Sequence, residues 1–332
     1  MRSQNFNTLK RVISNFRDKR ILILGDLILD EFIWGDVSRI SPEAPVPVVW
    51  AKNESFMPGG ASNVANNLSS LGAKAYLVGV VGNDERAAIL KGELEHKGVN
   101  TEGIVTDPQR PTVLKTRVIA HQQQVVRIDR EKIDPIKDSV ARKVMSFIER
   151  IIDDIEAVLI EDYGKGLITP KLLSSLIPLA KKKRKIIAVD PKEEHFSYYK
   201  GITLLTPNAH EASRAAGFEI KDKSSLKKAG SELLKKFKAR VILITLGEDG
   251  MMVFEKDKPA KKIDTLAQEV FDVSGAGDTV VSAYTLSLVA GASAIQAAHI
   301  ANCAAGIVVG KVGIAVVTED ELLRRIKEEI EK

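Results

Sequence analysis

The chain has 332 residues, of which 44% are hydrophobic and 28% are charged, and these proportions are typical of a globular protein with a substantial core. Its formal net charge is +5, but much of the excess lies in the single run "KKKRK" at residues 181–185, and aromatic residues make up only 5%. The composition therefore argues against nucleic-acid binding, and no apolar run is long enough to cross a membrane.

Short apolar, β-branched runs alternate with amphipathic helical periods along the chain. The runs predict strands at 21–25, 76–81, 157–160, 186–189, 203–206, 241–245 and 251–254. The periods predict helices at 61–71, 85–97, 136–152, 170–183, 211–216, 226–237, 276–290, 294–309 and 319–330. This alternation predicts an α/β protein with a mostly parallel sheet and helices on both faces.

The N-terminus has an amphipathic pattern at Leu9, Val12, Ile13 and Phe16, and it lacks the apolar core and cleavage site of a signal peptide. The single cysteine, Cys303, lies in an apolar segment and excludes an intrachain disulfide. We therefore expect a cytoplasmic protein.

Two segments interrupt the alternation, at 31–52 and 111–131. Both carry strand-like residues with prolines or a polar hairpin, and neither contains a predicted helix. Their pattern predicts a small antiparallel sheet with one solvent-exposed face. Because both follow strands of the main sheet, we expect one domain over residues 1–332, with these two inserted segments forming a lid.

Polar side chains follow nearly every predicted parallel strand. They are Asp26, Glu161, Asp162, Asp190, Asn208 and Thr245. In an open parallel sheet the ligand crevice lies outside the carboxyl ends of the strands, so these side chains are predicted to converge on one cleft.

The stretch "FDVSGAGDTVVSAY" places two glycines before a long apolar helix. The free amides of a helix N-terminus bind anions, and Gly275 and Gly277 leave room for close approach. Asp278 is positioned to act as a general base, and Asp272 adds a second carboxylate near the mouth of the cleft. This combination predicts phosphoryl transfer, with an anion hole, a base and acidic residues for Mg²⁺.

A simpler interpretation of Asp278 is an N-terminal helix cap, and the polar strand ends also fit ordinary turns. Other nucleotide signatures are absent from the sequence: it contains no G-x-x-x-x-G-K-[ST] motif and no G-x-G-x-x-G after the first strand. His210 and Glu211 do not extend to H-E-x-x-H, and no Cys/His cluster suggests zinc.

The motifs "GGASNVANNLSSLGA" and "DVSGAGDTVVSAY" resemble the two signatures of the ribokinase-type PfkB superfamily of sugar kinases. The resemblance covers essentially the whole chain and implies a ribokinase-like fold. Within the superfamily, "SRISPEAPVPV", "EDYGKG", "VDPK" and "TPNAHEA" resemble the subgroup that acts on D-glycero-β-D-manno-heptose 7-phosphate. Many members of that subgroup carry a further nucleotidyltransferase domain, and this chain resembles their kinase half.

The resemblance implies an ATP- and Mg²⁺-dependent kinase that forms heptose 1,7-bisphosphate for surface-glycan and lipopolysaccharide synthesis. By resemblance, Asp278 deprotonates the anomeric hydroxyl of the sugar. The amides of Gly275, Ala276 and Gly277 hold the charge on the transferred group.

The resemblance also assigns the residues that bind the two substrates. Those that hold the sugar hydroxyls are Asp26, Gly59, Gly60 and Asn63, although the two glycines also fit a simple turn. Those near the nucleotide are Asn208, Ala209, His210, Glu211, Thr245, Gly247 and Asn302, and for Asn302 a purely structural role between helices remains open. Glu211 and Asp272 are the expected metal ligands, with Glu211 acting through water.

A 7-phosphate requires cationic side chains. Lys192 in "VDPK" is the first candidate, followed by Lys165 and by Arg127 or Arg130 from the lid. Glu161 departs from the subgroup pattern, where serine is expected, and Ser274 stands where threonine is common.

The predicted lid carries apolar residues including Val46, Val48 and Trp50, and with the resemblance this predicts a homodimer that forms through the lids. Two other functions remain open: a kinase of the same fold for another sugar, sugar phosphate or nucleoside, and a non-catalytic regulator that binds a sugar phosphate. The intact "GAGD" sequence argues against the regulator.

Overall fold

The computed structural model describes residues 2–121, 123–266, 270–311 and 313–331, without the side chains of residues 2–5 and 330. The strands are β1 (Arg20–Gly25), β2 (Leu27–Ile40), β3 (Pro47–Gly60), β4 (Lys74–Val81), β5 (Asn100–Thr106), β6 (Val113–Ala120), β7 (Gln123–Arg130), β8 (Ala157–Glu161), β9 (Ile186–Asp190), β10 (Leu204–Leu205), β11 (Val241–Thr245), β12 (Met251–Glu255) and β13 (Lys261–Ile263). The α-helices are α1 (Arg2–Ser14), α2 (Ala61–Ser70), α3 (Glu85–His96), α4 (Asp138–Ile151), α5 (Pro170–Lys182), α6 (Ala209–Ala216), α7 (Lys223–Phe237), α8 (Ala276–Val289), α9 (Ala294–Val308) and α10 (Glu319–Glu331).

The larger sheet has the strand order β13-β12-β11-β10-β9-β8-β1-β4-β5. Neighbouring strands from β11 through β5 run parallel, and β12 and β13 are antiparallel additions at one edge. The predicted mostly parallel sheet is confirmed. The two outermost strands were not predicted, because β5 ("NTEGIVT") and β13 ("KKI") are polar edge strands without an apolar run.

Alternate side chains of each central strand enter two separate cores. Ile21 and Ile23 pack with α1, α2, α3, α8, α9 and α10 on one face, whereas Leu22 and Leu24 pack with α4, α5, α6 and α7 on the other. Both faces of the sheet are therefore covered, which explains why its strands read as continuous apolar runs.

The predicted helices begin and end within three residues of their expected bounds. The largest difference is at α7, which begins at Lys223 because Asp222 and Ser225 form a capping box ahead of the apolar period. No helix in the described ranges is long and apolar enough to cross a membrane.

The smaller sheet has the order β3-β2-β6-β7 and is built from the two segments predicted to be inserted. Its strands begin closer to the large sheet than expected, since β2 starts at Leu27, directly after β1. The sheet is mixed and not antiparallel as predicted. Two antiparallel hairpins, β2–β3 and β6–β7, join through their first strands, which pair in parallel.

Candidate active site

Three acidic side chains meet at the carboxyl edge of the large sheet. Asp26 follows β1, Glu161 ends β8 and Asp190 ends β9, and the parallel register aligns Gly25 with Glu161 and Glu161 with Asp190. Asp26 and Glu161 are buried, and Asp190 is half-buried. The register explains the convergence that the sequence predicts at this edge.

Asp278 lies in the first turn of α8 and is buried. Its Oδ2 accepts a hydrogen bond of 2.7 Å from Asn63 Nδ2, and its Oδ1 accepts one of 2.9 Å from the Tyr163 hydroxyl. The N-cap of α8 is Gly275, without a side-chain capping bond. The capping interpretation of Asp278 is therefore wrong, because two side chains from other elements orient its carboxylate.

The environment of Asp278 favours a base that works near neutral pH. Burial raises its pKa to about 6, while the hydrogen bonds from Asn63 and Tyr163 oppose that rise. The charge of Asp278 and burial raise the pKa of Tyr163, so its hydroxyl stays protonated and donates. At neutral pH the carboxylate of Asp278 is ionised and held in place.

Gly275 is required by its backbone and by its surroundings. Its φ is +78°, and a Cβ there would lie 2.9 Å from Asn63 Nδ2. The amide of Ala276 donates to the Val273 carbonyl, whereas the amide of Gly277 has no acceptor among the described residues. The helix N-terminus therefore presents unpaired N–H groups beside Asp278, as an anion hole requires.

Asp26 is held mainly by the loop after β8. Its carboxylate accepts backbone hydrogen bonds from Tyr163 (3.1 Å), Lys165 (2.9 Å) and Leu167 (3.2 Å). Burial nevertheless raises its pKa to about 6, with the Asp162 charge adding to the effect. The structure thus gives Asp26 a clear role in fixing this loop, and its contact with a sugar hydroxyl stays a prediction.

The glycine pair at the end of β3 packs against β2. A Cβ on Gly59 would overlap the carboxylate of Asp30, and a Cβ on Gly60, whose φ is +55°, would lie 2.7 Å from the Asp26 carbonyl oxygen. Close packing against β2 and the end of β1 therefore explains both glycines, through the Asp30 side chain for Gly59 and the Asp26 backbone for Gly60. A role in admitting the sugar ring stays a prediction.

The buried Glu161 and the half-buried Asp190 form an acidic pair that the mechanism expected from sequence does not use. Neither carboxylate oxygen of Glu161 accepts a hydrogen bond from an N–H or hydroxyl group of the described residues, and a shared proton would bond it to Asp190. Asp190 accepts a hydrogen bond of 2.6 Å from the Thr206 hydroxyl. Burial and the charge of Asp190 raise the pKa of Glu161, and burial raises that of Asp190 to about 7. Each group is pushed toward its neutral form.

A cavity of about 480 Å³ extends from the N-terminus of α8 along β11 and α9. Five predicted site residues line it: Thr245, Gly247, Ala276, Gly277 and Asn302. Most of the other lining residues are apolar, such as Val280. Asn302 also donates a 2.7 Å hydrogen bond to the Asp264 carbonyl, so it fixes the wall of the cavity.

The segment 208–211 begins α6 and does not line this cavity. Asn208 and Glu211 form a capping box, with bonds of 2.9 Å from the Glu211 amide to Asn208 Oδ1 and 2.8 Å from the Asn208 amide to Glu211 Oε2. Ala209 is the first residue of the helix, and His210 lines a separate surface groove. Burial raises the pKa of Glu211, and Lys192 opposes that rise.

The two predicted metal ligands do not form a preassembled site. Within the described ranges, no group of three or more His, Cys, Asp or Glu side chains is arranged to hold a metal ion. Asp272 accepts a hydrogen bond of 2.8 Å from the Ser274 amide, which leaves it in a local turn. The capping bond uses one oxygen of Glu211, so its other oxygen fits a Mg²⁺ bound mainly by nucleotide phosphates and water.

The predicted phosphate-binding cations have different surroundings. Lys192 lies along Gly164 and 3.8 Å from Glu194, and Lys165 forms a 2.7 Å ion pair with Glu131. Arg127 makes two bonds, of 2.8 and 3.0 Å, to the carboxylate of Asp129.

Sequence reasoning missed two important residues. Tyr163 lies in the "EDYGKG" motif and was not assigned a role, yet its hydroxyl holds the carboxylate of Asp278. The position of this motif directly after a predicted strand could have indicated it. Lys115 was not singled out, and its ammonium lies 5.5 Å from the centre of the Tyr163 ring.

Residues 19–321 match the model of the pfkB family carbohydrate kinases, and the chain belongs to this family. Two solved structures share its fold. Escherichia coli phosphofructokinase-2 in complex with potassium has a TM-score of 0.78 at 20% identity, over 95% of this chain and 100% of that one. Arabidopsis thaliana ribokinase complexed with ribose and ATP has a TM-score of 0.75 at 20% identity, over 93% and 99%. The expected ribokinase-like fold and the class of ATP-dependent sugar kinase are confirmed.

Curated relatives narrow the resemblance within the family. The bifunctional protein HldE of Desulfatibacillum aliphaticivorans is 46% identical over 99% of this chain and 67% of its own length. The bifunctional protein HldE of Helicobacter hepaticus is 45% identical over 93% of this chain and 64% of its own length. The chain thus spans about two thirds of the length of these relatives.

Proposed function

We propose that this kinase transfers the γ-phosphoryl group of ATP to the anomeric hydroxyl of D-glycero-D-manno-heptose 7-phosphate, giving the 1,7-bisphosphate. Its bifunctional HldE relatives and the heptose-kinase motifs of its sequence support this substrate. The observation that carries the reaction type is Asp278, held by Asn63 and Tyr163 beside the free helix N-terminus of α8. The product would feed the synthesis of activated heptose for surface glycans, in the cytoplasm where ATP is available.

Asp278 accepts the proton of the anomeric hydroxyl as the oxygen attacks the γ-phosphorus of ATP. Asn63 and Tyr163 hold the carboxylate so that the attacking oxygen meets it in one orientation. The bond from the γ-phosphorus to the bridging oxygen breaks, and ADP leaves with the electron pair. The free amide of Gly277 and the positive end of the α8 dipole stabilise the charge on the transferred group.

A nucleotide site is supported by the cavity along β11 and α9, which ends at Gly277. Its volume of about 480 Å³ suits a nucleotide, and its largely apolar walls suit a base and ribose. Thr245, Gly247 and Asn302 supply its polar edge, and Asn208 begins the nearby helix α6. The free oxygen of Glu211 would hold Mg²⁺ through water, where the ion would neutralise phosphate charge.

The acceptor sugar would occupy the space between this edge and the smaller sheet. Asp26, Asn63 and the glycine pair Gly59–Gly60 border that space, and the carboxylate and amide suit adjacent sugar hydroxyls. The smaller sheet acts as a lid that excludes water from the reaction.

The same sheet would join two copies of the chain. Its exposed large apolar side chains include Ile40, Val46 and Trp50, and Trp50 is 73% exposed. A dimer that buries this surface would be lost on Trp50→Glu, so sedimentation of both proteins at micromolar concentration tests it. A wild-type monomer would contradict the dimer and leave the kinase assignment unchanged.

The function is tested by ADP release with Mg·ATP across a panel of acceptors: D-glycero-D-manno-heptose 7-phosphate, the unphosphorylated heptose, fructose 6-phosphate, ribose and adenosine. Each acceptor is run beside Asp278→Asn. Activity confined to the heptose 7-phosphate and lost in the variant is the expected result. Preference for another acceptor would retain the kinase chemistry and overturn the substrate assignment, and no ADP release with any acceptor would favour a non-catalytic regulator.

A further inference from the structure

The inner face of the smaller sheet carries charged side chains above the active site. Strand register places Asp30 beside Lys115 and Lys115 beside Asp129, so the three side chains share one face. The Lys115 ammonium lies 5.5 Å from the centre of the Tyr163 ring, and the hydroxyl of that tyrosine donates to Asp278. This face therefore covers the space next to the proposed base.

Charges on this face pair off with one exception. The pairs are Arg117 with Asp30 and Arg127 with Asp129, and next to this face Lys165 of the loop after β8 pairs with Glu131. Lys115 is half-buried, and its ammonium makes no hydrogen bond or ion pair to any described residue.

The electrostatic surroundings of Lys115 call for an anion. Burial lowers its pKa, and the neighbouring charges of Lys165 and Arg127 act in the same direction. Asp30 and Asp129 raise it, but each is already engaged by an arginine. The Tyr163 ring face is a neutral partner, so the half-buried ammonium lacks a close anion among the described residues, and a bound ligand would supply that counter-charge.

We propose that Lys115, flanked by Arg117 and Lys165, binds the phosphate that the acceptor sugar already carries. A phosphate dianion would supply the missing counter-charge, and lysine is a common point-charge ligand for phosphate. The Tyr163 ring separates Lys115 from Asp278, so a sugar phosphate can place its phosphate at one and its reacting hydroxyl at the other. The assignment rests on the proposed function and deepens it.

Two observations indicate that Lys115 would bind the phosphate of the acceptor sugar and not the γ-phosphoryl group transferred from ATP. Lys115 does not line the nucleotide cavity, which ends at the N-terminus of α8. It also lies on the sheet that would close over the sugar. Among the earlier candidates, Arg127 already has a carboxylate partner, because Asp129 takes two of its guanidinium nitrogens, which makes it a weaker phosphate ligand than Lys115.

The test compares Lys115→Met with wild type on two acceptors, heptose 7-phosphate and the unphosphorylated heptose. Methionine keeps the length of the side chain and removes the charge. The expected result is a loss of about 10- to 100-fold in kcat/KM for the phosphorylated acceptor, mainly through KM, and less than about threefold for the other. Lys115→Arg should recover most of the loss. Lys132→Met, which removes a lysine paired with Asp134 beyond the sheet, is the matched control.

Equal losses of kcat/KM with both acceptors would overturn the proposal. They would mean that Lys115 acts on the transferred phosphoryl group or on Asp278, and not on the phosphate of the acceptor. A wild-type enzyme that prefers unphosphorylated acceptors would overturn it as well. If the wild type uses a different sugar phosphate, the heptose assignment fails, and the same comparison with that acceptor and its dephosphorylated form decides the role of Lys115. Thermal melting checks folding, and Lys115→Gln replaces the methionine variant if that variant melts early.

Discussion

The floor of the active site, formed by Asp26, Glu161, Asp190 and Asp278, differs in charge from its roof, the inner face of the smaller sheet around Lys115. Burial acts on both, yet it raises the pKa of the carboxyls and lowers that of the lysine. In each case desolvation favours the neutral form. The proposed base Asp278 on the floor thereby titrates near neutral pH, and the proposed phosphate ligand Lys115 on the roof is half-buried without a close anion among the described residues.

The largest effect should come from removing the base on the floor. Asp278→Asn keeps the shape of the side chain and cannot accept the proton, so we expect kcat to fall by about 1000-fold with a small change in KM for ATP. Steady-state ADP release measures both. The control is Asp153→Asn, which alters an exposed aspartate paired with Lys183. A variant that keeps a tenth of wild-type kcat would contradict the role of Asp278.

The half-buried acid Asp190 should limit stability at high pH. Its raised pKa means that the folded state holds a proton that the unfolded state releases. The stability that this proton adds to the folded state is therefore fully present below pH 4 and is lost as pH rises through about 7. Asp190→Asn mimics the protonated form and should gain stability over wild type across that range, by up to about 4 kcal/mol.

Urea unfolding of both proteins at pH 5 and pH 8 measures this gain. Asp153→Asn serves as the opposite case, because Lys183 lowers the pKa of Asp153 and its loss should not stabilise the protein at pH 8. A constant difference between Asp190→Asn and wild type at the two pH values would show that Asp190 is ionised throughout.

The smallest effect should come from changing Tyr163, the residue that contacts both Asp278 on the floor and Lys115 on the roof. Tyr163→Phe keeps the ring next to Lys115 and removes the hydroxyl that lowers the pKa of Asp278. We expect kcat/KM to fall by about three- to tenfold at pH 7. Activity should be lost as pH falls through about 6 in wild type, and this limb should move to higher pH in the variant. An unchanged profile between pH 5 and 8 would exclude a role for the hydroxyl in tuning the base.

The floor was largely predictable from sequence and the roof was not. Strand ends and the "GAGD" turn are local signals, and they indicated Asp26, Asp190 and Asp278. The partners of Asp278 are not local, because Asn63 and Tyr163 lie 215 and 115 residues away along the chain. Only the packing of α2 and the β8 loop against α8 brings them together.

The roof depends on strand register, which a single sequence does not define. A shift of one residue would turn Lys115 to the opposite face, so its position over Tyr163 could not be read from the predicted lid segment. Asn63 shows a related difficulty: the sequence resemblance assigned it to the sugar, and the structure gives its amide a direct bond to the base.

The central claim is that Asp278 directs phosphate to the anomeric oxygen while the roof holds the phosphate at the far end. The most direct measurement is ³¹P NMR of the product formed from D-glycero-D-manno-heptose 7-phosphate, ATP and Mg²⁺. We predict two phosphate resonances, of which the new one couples to the anomeric proton. A new resonance coupled to any other sugar proton, or ADP formation without a new sugar phosphate, would contradict the account.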